Sequence, residues 1–167
     1  MHPQQLARQF PAVMNNVNGP LKPRLLPSSR CRALVVDDDD IVRTQLMGLL
    51  RRSGYEVRGA GSGEEALGAL DLGDCQLLVT DWQMPRITGL DLCRHVRLGR
   101  PDQYVYVLML TVRDQEQDVL VGLAAGADDY VVKGAPNEEI LARLELGRRI
   151  AQSEYPLAIS TMRRVGR

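Results

Sequence analysis

The sequence of 167 residues contains few aromatic side chains, few cysteines and few histidines. Aromatic residues make up 4% of the chain and apolar residues 44%, so a buried core must consist mainly of aliphatic side chains. The three cysteines, Cys31, Cys75 and Cys93, lack the CxxC spacing of a zinc site, and two histidines accompany them. We therefore expect reduced, partly buried thiols and no zinc.

Long apolar segments are also absent from the sequence. The longest unbroken apolar run, at 104–110, is far shorter than the roughly 20 residues that span a bilayer. The N-terminus lacks the apolar stretch of a secretory signal peptide. These absences exclude a helical membrane protein and predict a cytoplasmic location without membrane insertion.

Charge is balanced overall, with 21 basic and 21 acidic residues, but it is unevenly distributed. Residues 33–147 hold eleven basic and twenty acidic side chains, a net charge of −9. An acidic body of this kind does not favour direct nucleic-acid binding. Residues 1–30 have no acidic residue and contain five of the nine prolines, which predicts a flexible, basic N-terminal arm.

From residue 33 onward, short apolar runs alternate with segments of helical apolar spacing. The apolar runs predict strands at 33–36, 55–59, 77–80, 104–110 and 130–132. The other segments predict helices at 41–52, 64–72, 90–98, 114–125 and 137 to about 151. Asp40 and Ser62 are the expected N-caps of the first two helices. Pro156 is expected to interrupt any continuation of the fifth helix, and residues 152–167 could form a C-terminal extension or a truncated connector.

Five strands of continuous apolar character, each followed by a helix, predict a parallel sheet covered on both faces. The expected fold class is α/β, a doubly wound five-stranded parallel sheet with five helices. Ligands of such folds bind beyond the carboxyl ends of the strands. The residues at those ends include the run Asp37 to Asp40, then Asp81, Thr111 and Lys133.

The carboxylates at these strand ends need a compensating positive charge. Two carboxylates about 5 Å apart repel by roughly 3 kcal/mol at an effective dielectric constant of about 20. Mg²⁺ suits such a site because it binds carboxylates together with phosphate oxygens. Lys133 offers a second positive charge, in a chain with two lysines and nineteen arginines. Together with the Thr111 hydroxyl, these groups make a site for a phosphoryl group on Asp81.

Four segments resemble the receiver domain of two-component response regulators in residues, order and spacing. They are LVVDDDD (34–40), LLVTDWQMPRITGLDL (77–92), VLMLT (107–111) and GADDYVVK (126–133). The resemblance covers about residues 33–150 and implies a flavodoxin-like receiver domain at residues 31–151. It implies a phosphoacceptor signalling domain that is not itself an enzyme. A sensor histidine kinase or phosphotransfer protein would donate the phosphoryl group, and the resulting switch would control an output or a partner, with homodimerisation as one option.

The resemblance also implies a role for each residue at the site. The phosphoacceptor would be Asp81. The ligands of Mg²⁺, or of Mn²⁺ in its place, would be Asp37, Asp38, Asp81 and the backbone carbonyl of Gln83. The residues that bind the phosphoryl group and switch with it would be Thr111, Lys133 and Tyr130. The positions that tune the lifetime of the phosphate would be Gln83 and Arg113.

Gly134 departs from the pattern of the family, in which a proline usually follows the lysine, often through a cis bond. A cis bond without proline costs about 2.5–4 kcal/mol, so we expect a trans bond or a strained loop after Lys133. The departure bears on the position of Lys133 and on the path into the fifth helix.

Two further interpretations concern the activity of the chain. Residues 38–42 fit the D-x-D-x-[T/V] pattern of haloacid-dehalogenase-type phosphatases, with Asp38 and Asp40 as the reacting pair. That alternative leaves Asp81 without a role. The fifth-helix segment EEILARLELGRRIA (138–151) resembles receivers that precede diguanylate cyclase or phosphatase output domains.

Overall fold

The computed structural model describes residues 31–99, 103–112 and 116–165. The strands are β1 (Arg32–Val36), β2 (Glu56–Ala60), β3 (Leu77–Asp81), β4 (Tyr106–Thr111) and β5 (Asp129–Val132). The helices are α1 (Asp40–Arg52), α2 (Gly63–Asp71), α3 (Gly89–Leu98), α4 (Glu116–Ala124) and α5 (Asn137–Val165). The strands form one parallel sheet in the order β2-β1-β3-β4-β5. The predicted α/β fold is confirmed, whereas the predicted arm at 1–30 lies outside the described residues.

The central strands divide their side chains between two buried clusters, one on each face of the sheet. In β1, Leu34 and Val36 join the cluster under α2 and α3, whereas Ala33 and Val35 join the cluster under α1 and α5. Every residue of β3 and β4 is buried. Continuous apolar runs are the expected sequence pattern for strands covered on both faces.

The edge strand β2 does not have the continuous apolar character expected of all five strands. Its exposed positions, Glu56 and Arg58, alternate with the partly buried Val57 and Gly59. β2 pairs with β1 along one edge. Charged side chains on an edge strand discourage pairing with another chain, which explains the alternation.

The first helix begins one residue earlier than predicted, and its N-cap is Asp39 instead of Asp40. The Asp39 carboxylate accepts hydrogen bonds from two backbone N–H groups of the first turn. Asp40 is the first helical residue, and its side chain pairs with Arg43. Four consecutive aspartates offer the same capping chemistry, so the sequence pattern could not select among them. The predicted N-cap of α2, Ser62, is confirmed.

Helix α5 extends over 29 residues, well beyond the predicted end near Ala151. Its first half is anchored on the sheet by the buried side chains of Ile140, Leu144 and Ala151. The prediction that Pro156 interrupts the helix is wrong. A proline removes one backbone hydrogen bond, here to the carbonyl of Gln152, while the bonds of the neighbouring turns can still form.

Helix α4 approaches the sheet through small residues. Gly122 is buried, whereas Leu120, Val121 and Leu123 are between 45% and 65% exposed. A Cβ atom at Gly122 would lie 3.0 Å from the ring of Trp82. Trp82, the single tryptophan of the chain, therefore packs against α4 one residue after Asp81.

The three cysteines are free and buried, as the sequence predicts. Burial raises the pKa of Cys75 and of Cys93 to about 12, so both are protonated thiols at neutral pH. Among the described residues, no helix combines the length and the apolar character needed to cross a membrane.

Candidate phosphoacceptor and metal-binding site

Four strands bring the predicted site residues to one edge of the sheet. Asp81 and Thr111 are the last residues of β3 and β4, and Asp37 and Lys133 directly follow β1 and β5. Asp37, Asp81 and Thr111 are all buried. Buried polar residues at the carboxyl ends of parallel strands are typical of a ligand site in an α/β fold.

Three carboxylates form an acidic cluster at this edge. One oxygen each from Asp37, Asp38 and Asp81 lies within 4.8 Å of the others. Asp37 is 0% and Asp81 8% exposed, whereas Asp38 is on the surface. Oxygen ligands at this spacing fit a hard divalent cation that keeps some of its water. The predicted acidic pair and Asp81 are therefore brought together, in an arrangement able to hold Mg²⁺ or Mn²⁺.

Lys133 lies between the two buried carboxylates. Its Nζ is 2.8 Å from Asp37 Oδ2 and 3.0 Å from Asp81 Oδ2. The described residues contain no cis peptide bond, so Gly134 follows through a trans bond, with a φ of 93°. Glycine adopts this left-handed conformation without the steric cost of a Cβ. The turn at Gly134 therefore accommodates the position of Lys133 in the cluster.

The cluster shifts the proton affinities of its members. Burial raises the pKa of the Asp81 carboxyl above its usual value, the hydrogen bond from Lys133 opposes the rise, and the charge of Asp37 adds to it. Burial lowers the pKa of Lys133, but the hydrogen bonds to Asp37 and Asp81 outweigh this effect and leave its pKa raised. Lys133 is thus protonated at neutral pH, and Asp81 binds a proton more readily than an exposed aspartate does.

The loop after β3 packs the start of α3 directly against the backbone of Asp81. A Cβ atom at Gly89 would lie 2.1 Å from the Asp81 carbonyl oxygen. Thr88 caps α3 and forms a capping box with Asp91. In the same loop Arg86 has a left-handed φ of 65°. The segment that follows Asp81 is therefore fixed by a cap and by a glycine for which no larger residue fits.

The remaining predicted residues lie around this cluster. Thr111 is 2% exposed, and its backbone oxygen accepts a hydrogen bond of 2.7 Å from Lys133 N. Tyr130 is half-buried and packs against the cluster under α2 and α3. Gln83 is exposed and Arg113 lies outside the described residues. The switch and phosphate-lifetime roles of these residues stay predictions.

Arg43 contributes to the site without any signal in the residues around it. Its Nη1 donates a hydrogen bond of 2.7 Å to the backbone carbonyl of Asp37. Arginine is the usual basic residue of this chain, so one more on α1 does not stand out. A Cβ atom at Gly61 would lie 3.2 Å from Arg43 Nη1, but a glycine in a loop does not by itself indicate such a contact.

The pair required by the phosphatase alternative is not formed. Asp40 is 84% exposed and pairs with Arg43. The acidic cluster within the described residues includes Asp38 but not Asp40. Asp38 and Asp40 therefore do not converge on one reacting group.

Residues 33–145 match the family model described as the response regulator receiver domain. The chain belongs to this family. Receiver domains of two-component response regulators are phosphorylated by histidine kinases. The family match confirms the predicted class of function, a response regulator receiver domain, and does not favour the phosphatase alternative.

Two curated relatives are a response regulator and a transcriptional regulatory protein. Response regulator MprA of Mycobacterium sp. (strain KMS) is 43% identical over 126 residues, covering 75% of this chain and 54% of the relative. The transcriptional regulatory protein AfsQ1 of Streptomyces coelicolor is 40% identical over 121 residues, covering 72% of this chain and 52% of the relative. The chain thus spans about half the length of these relatives.

Solved structures of receiver domains have the same fold. Chemotaxis protein CheY4 of Vibrio cholerae is 30% identical with a TM-score of 0.66, covering 70% of this chain and 98% of that chain. Response regulator TrrA of Thermotoga maritima, solved with Mg²⁺ and BeF, is 33% identical with a TM-score of 0.63 over 70% and 98%. A putative response regulator/GGDEF domain protein is 27% identical with a TM-score of 0.69, over 74% of this chain and 51% of that chain.

Proposed function

We propose that Asp81 is the phosphoacceptor of this receiver domain. The observation that carries the proposal is the position of Lys133 Nζ, 2.8 Å from Asp37 and 3.0 Å from Asp81, beside the three-carboxylate cluster. This arrangement places the Asp81 carboxyl group next to a fixed positive charge and at the edge of the sheet. A carboxylate so placed can act as a nucleophile toward phosphorus.

The proposed reaction is transfer of a phosphoryl group from a phosphohistidine of a sensor kinase or phosphotransfer protein. A carboxylate oxygen of Asp81 bonds to phosphorus, the phosphorus–nitrogen bond breaks, and the histidine leaves with its electron pair. Asp37, Asp38, Asp81 and the Gln83 backbone carbonyl would hold Mg²⁺ or Mn²⁺, which supplies positive charge to the transferring oxygens. Lys133, whose Nζ is 3.0 Å from Asp81 Oδ2, would stabilise the charge of the acyl phosphate.

Phosphorylation is proposed to bias a two-state equilibrium of the domain. The acyl phosphate carries a charge of about −2, which Thr111 and Lys133 would contact while Tyr130 turns inward. Moving an equilibrium from 1:99 to 99:1 takes about 5.5 kcal/mol. A charge-assisted hydrogen bond contributes roughly 1.5–3 kcal/mol, so several contacts must change together.

The phosphoacceptor is tested by incubation with Mg²⁺ and a small acyl phosphate, followed by intact mass spectrometry. The wild-type protein is expected to gain one phosphoryl group, and Asp81→Asn none. Asp40→Asn is the matched control, because Asp40 is an exposed aspartate outside the cluster. It should be modified like the wild type. An unchanged mass gain in Asp81→Asn would contradict the proposal. If the wild type hydrolysed phosphate esters over many turnovers and Asp40→Asn lost this activity, the phosphatase alternative would be supported instead.

Binding of Mg²⁺ is expected to weaken as the pH falls, starting at a higher pH than for an ordinary aspartate site. The folded-state pKa of Asp81 is raised, so protonation of this ligand begins above the usual value of about 3.9. Titration of Mg²⁺ at a series of pH values, followed by Trp82 fluorescence, measures the effect. Asp81→Asn should bind Mg²⁺ more weakly and with less pH dependence. If the Mg²⁺ affinity of the wild type did not change until the pH fell to the ordinary aspartate pKa, the raised pKa of Asp81 would be contradicted.

We propose further that residues 31–151 form the receiver unit and that residues 152–165, the continuation of α5, connect it to an output or partner. The proposal is supported by the length of α5 and by the half-length match to longer regulators.

A further inference from the structure

Arg43 of α1 reaches the backbone of the loop that carries the acidic pair. Its Nη1 donates to the Asp37 carbonyl oxygen at 2.7 Å, and its Nη2 pairs with the Asp40 carboxylate. The Arg43 side chain is 20% exposed, although arginine is normally a surface residue. The Arg43 side chain is therefore largely buried, and its guanidinium holds a main-chain carbonyl of the loop.

Two glycines lie beside the side chains of Arg43 and Met47 on α1. A Cβ atom at Gly61 would lie 3.2 Å from Arg43 Nη1, and one at Gly59 would lie 3.6 Å from Arg43 Cδ and 2.5 Å from Met47 Sδ. Neither glycine adopts a left-handed φ. The backbone at these positions does not itself require glycine, and a larger residue would displace the ends of the Arg43 and Met47 side chains.

The Asp37 residue is held by three further polar contacts besides Arg43. Its N–H donates to the Ala60 carbonyl at 3.2 Å, Oδ1 accepts from Asp39 N at 2.9 Å, and Oδ2 accepts from Lys133. The backbone carbonyl of Asp37 is the group that Arg43 of α1 binds. Arg43 thus links α1 to the acidic loop at the point where the loop leaves β1, and the Asp37 N–H links the same loop to the end of β2.

We infer that Arg43 is a positioning residue for the metal-binding carboxylates of this receiver domain. The inference rests on the proposed metal site. By holding the Asp37 carbonyl, Arg43 keeps the carboxylates of Asp37 and Asp38 turned toward Asp81. Groups that orient metal ligands typically change metal affinity by about 10- to 100-fold when they are removed.

The charge of Arg43 and its positioning effect act in opposite directions on a cation. A guanidinium near three carboxylates repels Mg²⁺, so its removal would tighten binding if charge were its main contribution. If positioning dominates, the same removal weakens binding. The sign of the change in Mg²⁺ affinity therefore separates the two roles.

The experiment measures the Mg²⁺ dissociation constant by Trp82 fluorescence. Arg43→Met is expected to bind Mg²⁺ at least about tenfold more weakly. Arg43→Lys, which keeps the charge but loses the planar fork, should fall between Arg43→Met and wild type. Arg51→Met is the matched control, since Arg51 is on the same helix and donates to the Val57 carbonyl at 3.2 Å; its affinity should equal that of wild type. Unchanged or tighter binding in Arg43→Met overturns the inference.

A measurement without metal tests the positioning role of Arg43 independently of the proposed function. Amide hydrogen exchange of Asp37 and Asp39 should be several-fold faster in Arg43→Met than in Arg51→Met without any cation. Equal exchange in the two variants would overturn the positioning role. If Mg²⁺ gives the same fluorescence response in wild type and Asp38→Asn, the proposed metal site fails, and the exchange result still decides whether Arg43 orders the loop.

Discussion

Lys133→Met is expected to lower the free energy of unfolding by about 3 kcal/mol in the absence of divalent cations, because it leaves the buried Asp37 carboxylate unpaired. The Asp37 side chain is 1% exposed, and Lys133 is 20% exposed. Without the ammonium, the folded-state pKa of Asp81, which burial already raises, rises further above its unfolded value. The loss should therefore grow as the pH increases from about 4 toward neutrality. Urea unfolding at several pH values measures it.

Two controls define the origin of that loss. Asp37→Asn in the Lys133→Met background should recover part of the stability, since it removes the unpaired charge. Mg²⁺ should stabilise Lys133→Met more than wild type, because the cation replaces the missing positive charge. A loss below about 0.5 kcal/mol that does not vary with pH would place Lys133 among ordinary surface residues and contradict the pairing.

Gly89→Ala is expected to lower the free energy of unfolding by about 3 kcal/mol, as a severe case of overpacking. The added Cβ would lie 2.1 Å from the Asp81 carbonyl oxygen. That backbone belongs to β3 and pairs with Leu110 of β4, so it cannot move away without disturbing the sheet. The variant should also accept phosphoryl groups more slowly, because relief of the clash displaces Asp81. Urea unfolding and the mass-spectrometric assay measure the two effects.

Gly68→Ala is the matched control for that substitution. Gly68 is exposed in α2, and a Cβ atom there would contact nothing within 4 Å. Alanine should therefore raise the free energy of unfolding by up to about 1 kcal/mol, through helix propensity. If both glycine variants unfolded at the same urea concentration, the close contact of Gly89 with Asp81 would be wrong.

Most of the candidate site could be predicted from the sequence because its residues follow apolar strands. A parallel sheet gathers the ends of its strands at one edge, so Asp37, Asp81, Thr111 and Lys133 had to lie near one another once the strands were recognised. The covered faces of β3 and β4 made those strands continuous apolar runs. Topology therefore determined which side chains meet.

The parts that could not be predicted depend on local geometry. Asp39 and Asp40 have the same chemistry, and backbone conformation decided which one caps α1. Arg43 is bound to a main-chain carbonyl, which no pattern of side chains encodes. The continuation of α5 past Pro156 depends on the rest of the helix forming around one missing hydrogen bond. Each of these features involves backbone groups, and the residue types alone do not show which partners those groups bind.

The length of α5 has a mechanical consequence for signalling. Its buried side chains hold it to the sheet as far as Ala151, and residues 152–165 continue the same helix. At 1.5 Å per residue that continuation is about 21 Å long. A tilt of about 10° at its base would move the far end by about 4 Å over such a length. If residues 152–165 are the proposed connector, a small rearrangement near β5 would therefore become a displacement of several ångströms at the far end of the helix.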